Sequence, residues 1–315
     1  MRSVLLSKPK ATRYTMHIPV LIEEATTLLN PKPGDCVIDG TIGGGGHTRA
    51  LLDRLDGSGW FLGMDWDADA VTRLRSETGA YAERGVTVNI VNGNFSDLPA
   101  VMETLGVPKA DAVMLDIGFS SDQIESSGRG FSFLRDEPLI MTYSNEMTPV
   151  KELLRELSES DLADILFKFG EERYGREIAR AIRERIENGI LESTRDLVQI
   201  VESAVPPRYL KGRIHPATRT FQALRMYANR ELENVERFLD NLGVVLAPGG
   251  RVAVISFHSL EDRIVKERFR ALERAGAGKR LTKKPVVASA DEVARNPRSR
   301  SAKLRAFKLE QTKNP

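Results

Sequence analysis

Five glycines fall between Gly40 and Gly46, directly after a short apolar run that ends in an acid, Cys36-Val-Ile-Asp39. His47 follows, and Thr48 to Leu55 reads as a helix. A glycine-rich turn between a strand and a helix start lets a ligand lie against bare backbone and offers it unpaired N–H groups. A tight βα turn does not need so many glycines, so the stretch reads as a ligand loop. Acids recur after two further apolar runs: Asp65 after Trp60 to Met64, and Asp116 after Ala112 to Leu115. Phe95 stands just past another run, Val86 to Val91. In a parallel sheet, ligands bind beyond the carboxyl ends of the strands, so Asp39, Asp65, Phe95 and Asp116 are expected to converge on one crevice.

Two common phosphate loops do not fit. The dinucleotide pattern Gly-x-Gly-x-x-Gly would need a further glycine at Thr48 or Arg49. A Walker loop would need Gly-Lys-Ser/Thr, which does not follow here. A ligand without phosphates suits the stretch better. S-adenosylmethionine has a ribose diol, an adenine, a carboxylate and a sulfonium. Asp65 is placed for its ribose hydroxyls and Phe95 for its adenine. An acid after the second strand also serves NAD-binding sheets, so layout alone leaves a nucleotide-dependent oxidoreductase beside a methyltransferase. Asp116 is expected at the same crevice.

The elements that must position these residues follow from the pattern. Near-continuous apolar runs alternate with helical stretches up to Asp116, which indicates a parallel, doubly wound sheet. Residues 117–143 carry little periodicity and read as an irregular loop of functional length. Helical stripes follow, with a capping box at Ser193 to Asp196. We therefore expect an all-helical domain over 125–215, inserted into a sheet domain made of 16–124 and 216–315. Phe221 to Leu242 reads as one long helix. Pro248-Gly-Gly250 turns into a fifth strand, Val252 to Ser256, with further strands near 285–288 and 304–309.

Composition narrows the classes. The 315 residues include one cysteine, Cys36, so an internal disulfide is impossible. The four histidines are dispersed, and no metal site is expected. No apolar run reaches 18 residues, and the basic N-terminal stretch lacks an apolar core, so neither a membrane span nor a secretory signal is expected. A cytoplasmic location fits these features. Net charge is only +2, but Arg274 to Lys313 holds 12 Lys or Arg against three acids. A basic end on a balanced chain points to a polyanionic partner, with Arg298, Arg300, Lys303 and Arg305 as phosphate contacts.

The chain also resembles the bacterial 16S rRNA cytosine-N4 methyltransferases, which modify a decoding-centre cytidine of the small ribosomal subunit. The resemblance rests on His17-x-Pro-Val-Leu, Asp39-Gly-Thr-Ile-Gly-Gly-Gly-Gly-His47, Asp116-Ile-Gly-Phe-Ser-Ser-Asp-Gln123 and Arg129-Gly-Phe-Ser-Phe133. It continues through Lys168-Phe-Gly-Glu-Glu-Arg-Tyr174, His215-Pro-Ala-Thr-Arg-Thr-Phe-Gln-Ala-Leu-Arg225, Ser256-Phe-His-Ser-Leu-Glu-Asp-Arg263 and Asn296-Pro-Arg-Ser-Arg-Ser-Ala-Lys-Leu-Arg305. It implies an α/β, Rossmann-like class I methyltransferase sheet with an inserted all-helical domain. It implies S-adenosylmethionine as cofactor, on Gly45, Gly46, His47, Asp65, Phe95, Asp116 and Gln123, and 16S rRNA as partner. Phe133, Tyr143, His215, Arg219, Arg225, His258, Arg298 and Arg300 are the candidate RNA contacts. A homodimer is compatible with the sequence. One stretch departs from the family: Pro138-Leu-Ile-Met-Thr-Tyr-Ser144 replaces Pro-Leu-Asp-Met-Arg-Met-Asp, losing two acids and an arginine. That change keeps a second reading open, an RNA-binding assembly factor with impaired catalysis.

Overall fold

A computed structural model describes residues 19–117, 128–189, 191–212 and 214–310. His17, Phe119 and Gln123 lie outside the described residues. The strands are β1 (Cys36–Asp39), β2 (Gly59–Asp65), β3 (Val86–Asn92), β4 (Ala110–Asp116), β5 (Leu246–Ser256), β6 (Gly278–Arg280) and β7 (Lys303–Leu309). They form one sheet in the order β3-β2-β1-β4-β5-β7-β6. Strands β1 to β5 run parallel, and β7 lies antiparallel between β5 and β6. This is the doubly wound, Rossmann-like order expected from the alternating pattern. The direction of winding reverses between β1 and β4, where such sheets leave a crevice for ligands.

The strands are apolar because both faces are covered. All of β1 is buried. Val37 joins a core with the helices Ile22–Leu29, Gly46–Leu55 and Ala68–Glu77. Ile38, one residue on, joins the opposite core with Leu98–Leu105, Glu231–Asp240 and Ser259–Arg274. The period-2 alternation of a strand thus feeds two separate cores.

A third core is purely helical. It takes its side chains from Val150–Glu156, Glu159–Gly170, Gly175–Glu187, Thr194–Ala204 and Ala217–Ala228, with Leu139 and Met141 from the segment before them. The capping box at Ser193 and Asp196 forms as read from the sequence. Asp67 likewise caps its helix, accepting from the backbone of Asp69 and Ala70.

One element differs from expectation. The helix read over Phe221 to Leu242 is two helices, Ala217–Ala228 and Glu231–Asp240, with Arg230 between them at φ 49°. The reason is burial. Phe221 and Leu224 pack into the helical core, whereas Val235 and Phe238 pack against the sheet. One straight helix cannot present both stripes to cores on different sides, so the chain turns at Asn229-Arg230. A second difference is at the end of the chain, where the strand expected near 285–288 is a single bridge, Val286 to Leu304.

Candidate active site

The glycine loop sits at the reversal of strand order and is stitched to both neighbours. Gly40 N donates to Met114 O at 3.0 Å, and Ile42 N donates to Met64 O at 3.0 Å. Gly45, at φ 77°, precedes the helix that starts at Gly46. That conformation is costly for any residue with a Cβ. A Cβ on Gly46 would stand 2.6 Å from Pro19 Cγ, and one on Gly40 would stand 2.4 Å from Leu115 Cδ2. The loop therefore has room for backbone only, which leaves its open side to a ligand.

The three strand-end acids have separate tasks. Asp39 does not face the crevice, contrary to the sequence expectation. It is fully buried and accepts from Thr48 Oγ1 at 2.6 Å and Thr41 N at 3.1 Å, pinning both ends of the loop. Burial pushes its carboxyl up to about 6, against those hydrogen bonds. Asp65 lines the cleft and accepts from Gly43 N at 2.8 Å and Asp67 N at 2.9 Å, one on each oxygen. Burial pushes it up to about 6 as well. Each of its oxygens keeps acceptor capacity for a hydroxyl. Asp116 also lines the cleft; its backbone N donates to Thr41 Oγ1 at 2.6 Å, and its Oδ2 lies 3.7 Å from His47 Nε2.

These groups form one wall of a cleft that opens to solvent. The other wall comes from far along the chain: Tyr143, Glu231, Asn234 and Glu261. Tyr143 is stacked on Phe131 (centroids 5.3 Å, 21°) and tilted against Trp66 (5.5 Å, 31°). Its backbone is held by Asn229, which accepts from Tyr143 N at 2.9 Å and donates to Met141 O at 2.8 Å. Its hydroxyl donates to Glu231 Oε1 at 3.1 Å. Burial and the nearby Glu231 charge push that hydroxyl well above its ordinary range, so it is a neutral donor. Arg225 holds the same carboxylate with two bonds, Nε to Oε1 at 2.7 Å and Nη2 to Oε2 at 2.9 Å.

The structure sorts the sequence candidates. Gly46, His47, Asp65, Phe95, Asp116 and Tyr143 line the cleft, and Gly45 lies between two glycines that do. Gln123 is outside the described residues. Phe133 instead stacks on His215 (4.6 Å, 26°) and meets Phe221 edge-on. Arg219 donates to Glu171 O at 3.2 Å, and Arg298 and Arg300 stand on the turn Pro297–Ser301. His258 is the N-cap of its helix: Nδ1 accepts from Glu261 N at 3.4 Å, and Nε2 lies 2.8 Å from Glu261 Oε1. Glu231, His258 and Glu261 bring ligand-type atoms within 4.8 Å of one another, yet both oxygens of Glu231 are already bonded to Arg225.

Two arginines read as phosphate contacts are corrected. Arg225 is committed to Glu231, and Arg305, 6% exposed, is committed to Asp262 at 2.6 and 3.1 Å. A buried guanidinium needs a carboxylate partner, and these two have one. Trp66, Asn94, Glu231, Asn234 and Glu261 line the cleft without having been singled out from the sequence. No local signal singled out Glu231 and Asn234, because the apolar stripe over 221–242 reads as one continuous helix.

Comparison with known proteins is consistent along the whole length. The model of the MraW methylase family matches residues 14–310. A protein of Syntrophus aciditrophicus named ribosomal RNA small subunit methyltransferase H is 42% identical over 309 residues, covering 93% of this chain and 97% of its own. Proteins of the same name from Geobacter sulfurreducens and Thermotoga neapolitana are each 44% identical, over 307 and 305 residues. They cover 92% and 95% of this chain, and 97% of their own length in both cases.

Proposed function

The chain belongs to the MraW methylase family, and from that membership we infer that it methylates the N4 amine of a cytidine in 16S ribosomal RNA, using S-adenosylmethionine. Its sheet is the Rossmann-like class I methyltransferase sheet. The observation that carries the reading is a single cleft at the strand reversal, lined by a bare-backbone loop, a ribose-type acid and a second, carboxylate-bearing wall.

The residues present fit the cofactor. The glycine loop packs so closely that a Cβ on Gly40 or Gly46 would meet Leu115 or Pro19, so backbone faces the cleft; Asp65 accepts one bond on each oxygen and keeps acceptor capacity for a diol, and Phe95 lines the same cleft. We assign Gly45, Gly46, His47, Asp65, Phe95 and Asp116 to holding it, with Gln123 carried as the family's further contact. When bound, S-adenosylmethionine supplies an electrophilic methyl group. The chain's part is alignment. An exocyclic amine is a poor nucleophile because its lone pair is delocalised into the ring. An acceptor at Asp116 holds one amine hydrogen and fixes the angle of attack, and alignment of this kind is the main requirement. His47 Nε2 stands 3.7 Å from that carboxylate. A base paired in a ribosomal helix must leave its stack to enter such a cleft.

The altered stretch 138–144 does not empty the site. Tyr143 lines the cleft and is anchored by Asn229 and Glu231, which supports catalysis over a purely structural assembly role. We further propose that the helical unit meets the RNA. Its core takes in Ala217–Ala228, so we place its boundary near Asn229, beyond the 215 read from sequence. Phe133, His215, Arg219, Arg298 and Arg300 would then serve RNA outside the cleft, at the decoding centre of the small subunit. We place the enzyme in the cytoplasm with its substrate. Among the described residues no helix is long and apolar enough to cross a membrane. Light scattering reads whether the homodimer compatible with the sequence forms. Mass spectrometry of small-subunit rRNA from cells with and without the protein tests the function. One N4-methylated cytidine is expected to appear only with it, and its absence in both would overturn the reading.

A further inference from the structure

We propose that Glu231 and Asn234 read the target base, giving cytosine a matching hydrogen-bonding edge and refusing uracil. The inference rests on the methyltransferase reading above and names how that site selects its base.

The argument begins with backbone geometry. Arg230 has φ 49°, a left-handed conformation that a non-glycine residue adopts only under constraint. The constraint is next to it: Asn229 is fully buried and bonds the segment 141–143 on one side and its own helix on the other. The chain thus reverses at a fixed point, and Glu231 begins the new helix facing the cleft. Its side chain is 11% exposed. A carboxylate has about four acceptor positions. Arg225 fills one on each oxygen, and Tyr143 fills the second on Oε1. Among the described residues no donor reaches the remaining position, on Oε2, and Glu231 lines the cleft. With three donors fixing its orientation, this carboxylate is a rigid acceptor.

Asn234 stands three residues on, on the same face of the helix, and lines the same cleft. Residues at that spacing are neighbours. Asn234 Nδ2 gives one hydrogen to Asn229 O at 3.0 Å. Its second amide hydrogen is left to give to a ligand. The wall therefore presents an acceptor beside a donor. Cytosine offers the complement, a donor at N4 beside an acceptor at N3. Uracil offers the reverse, an acceptor at O4 beside a donor at N3, so both contacts would be repulsive. Asp116, which lines the same cleft, is the acceptor left for the other N4 hydrogen. Between them the two carboxylates hold the amine in the plane of the ring, with its lone pair directed out of that plane.

The neighbouring groups leave this task to Glu231. Glu261 is spent on its own helix start, accepting from Phe257 N at 3.1 Å and lying 2.8 Å from His258 Nε2.

The test uses small subunits carrying unmethylated rRNA, with competitor subunits whose rRNA has uridine at the target position. Wild type is expected to methylate cytidine and to be inhibited poorly by the uridine competitor. Glu231→Gln can donate to O4 as well as accept from N4, so its preference for cytidine over uridine should fall about 10- to 100-fold. Its transfer rate should fall with it, while cofactor affinity measured by calorimetry stays at the wild-type value. Removing one member of a buried pair strands the other, so a second variant, Glu231→Gln with Arg225→Met, removes both. It decides the matter if the single variant melts below the assay temperature, and the same losses are expected from it. Wild-type rate and preference in a folded variant would overturn the proposal. So would a loss of cofactor affinity that accounts for the whole loss of transfer. A wild-type protein that leaves the cytidine unmethylated would instead remove the functional reading, and this inference with it.

Discussion

The two walls of the cleft are built in different ways. The cofactor wall is built around one local unit, β1, the glycine loop and the start of the next helix within Cys36–Leu55, to which the ends of the neighbouring strands add Asp65, Phe95 and Asp116. Its conformation is imposed by strand register and by positions where a Cβ has no room. The opposite wall is made of side chains brought from Tyr143, Glu231 and Glu261, held by Asn229 and Arg225. The bond between Tyr143 and Asn229 spans 86 residues. A wall of the first kind suits a ligand that is the same in every turnover. A wall of the second kind can be altered by single substitutions, since one side chain, Tyr143, supplies both a stacking ring and a hydroxyl bond to Glu231.

If that division is right, the walls should fail differently. The largest effect is expected at the point where they face each other. Asp116→Asn should lower methyl transfer by about 100- to 1,000-fold, the usual scale for losing one preorganised polar contact at the reacting centre. Labelled methyl incorporation into small subunits measures it. An equal fall in cofactor affinity would assign Asp116 to the cofactor wall alone.

Asp65→Asn comes next. Losing a charged acceptor should weaken cofactor binding by about 10- to 100-fold, and saturating cofactor should restore most of the rate. A rate loss that persists at saturation would break the division.

The same acid sets a pH dependence. Its carboxyl stands at about 6, raised by burial. The diol needs the ionised form, so affinity should be steady above pH 7 and fall about tenfold by pH 5. Asp65→Asn should be flat over that range in calorimetry. Stability runs the other way. A buried acid whose folded pKa is raised binds protons more readily in the native state, so ionisation costs stability as pH rises from about 4 to 6. Asp39, also raised to about 6, adds to that slope, and Asp39→Asn should shallow it in thermal melts.

The smallest effect is expected from Gly45→Ala. The left-handed backbone at φ 77° costs an alanine about 1 kcal/mol. Its Cβ would also meet Leu74 Cδ1 at 2.9 Å, a flexible group that can shift. The melting temperature should drop by about 2 °C, with weaker cofactor binding and an unchanged preference for cytidine. A change in base preference here would mean that the walls are not independent.

The amino-acid sequence determines the local parts of this protein. Strand β1 lies at Cys36–Asp39, where the apolar run placed it, and the caps at Asp67 and Ser193 form where capping residues precede helical stripes. The glycine loop and the acids Asp65 and Asp116 were legible because a strand end, a turn and a helix start are set by residues next to one another. The tertiary structure decided the rest. Nothing local distinguishes Arg225 and Arg305 from surface arginines. They are ion-paired because Glu231 lies across a turn made by a non-glycine residue, and because Asp262 reaches Arg305 from a neighbouring helix. Nor does any local pattern break the stretch 221–242. It bends because its two apolar stripes must be buried in different cores, and that competition exists only once both cores have formed. The glycine loop at the strand reversal is written in adjacent residues. The wall that faces it depends on where packing places side chains from distant ones.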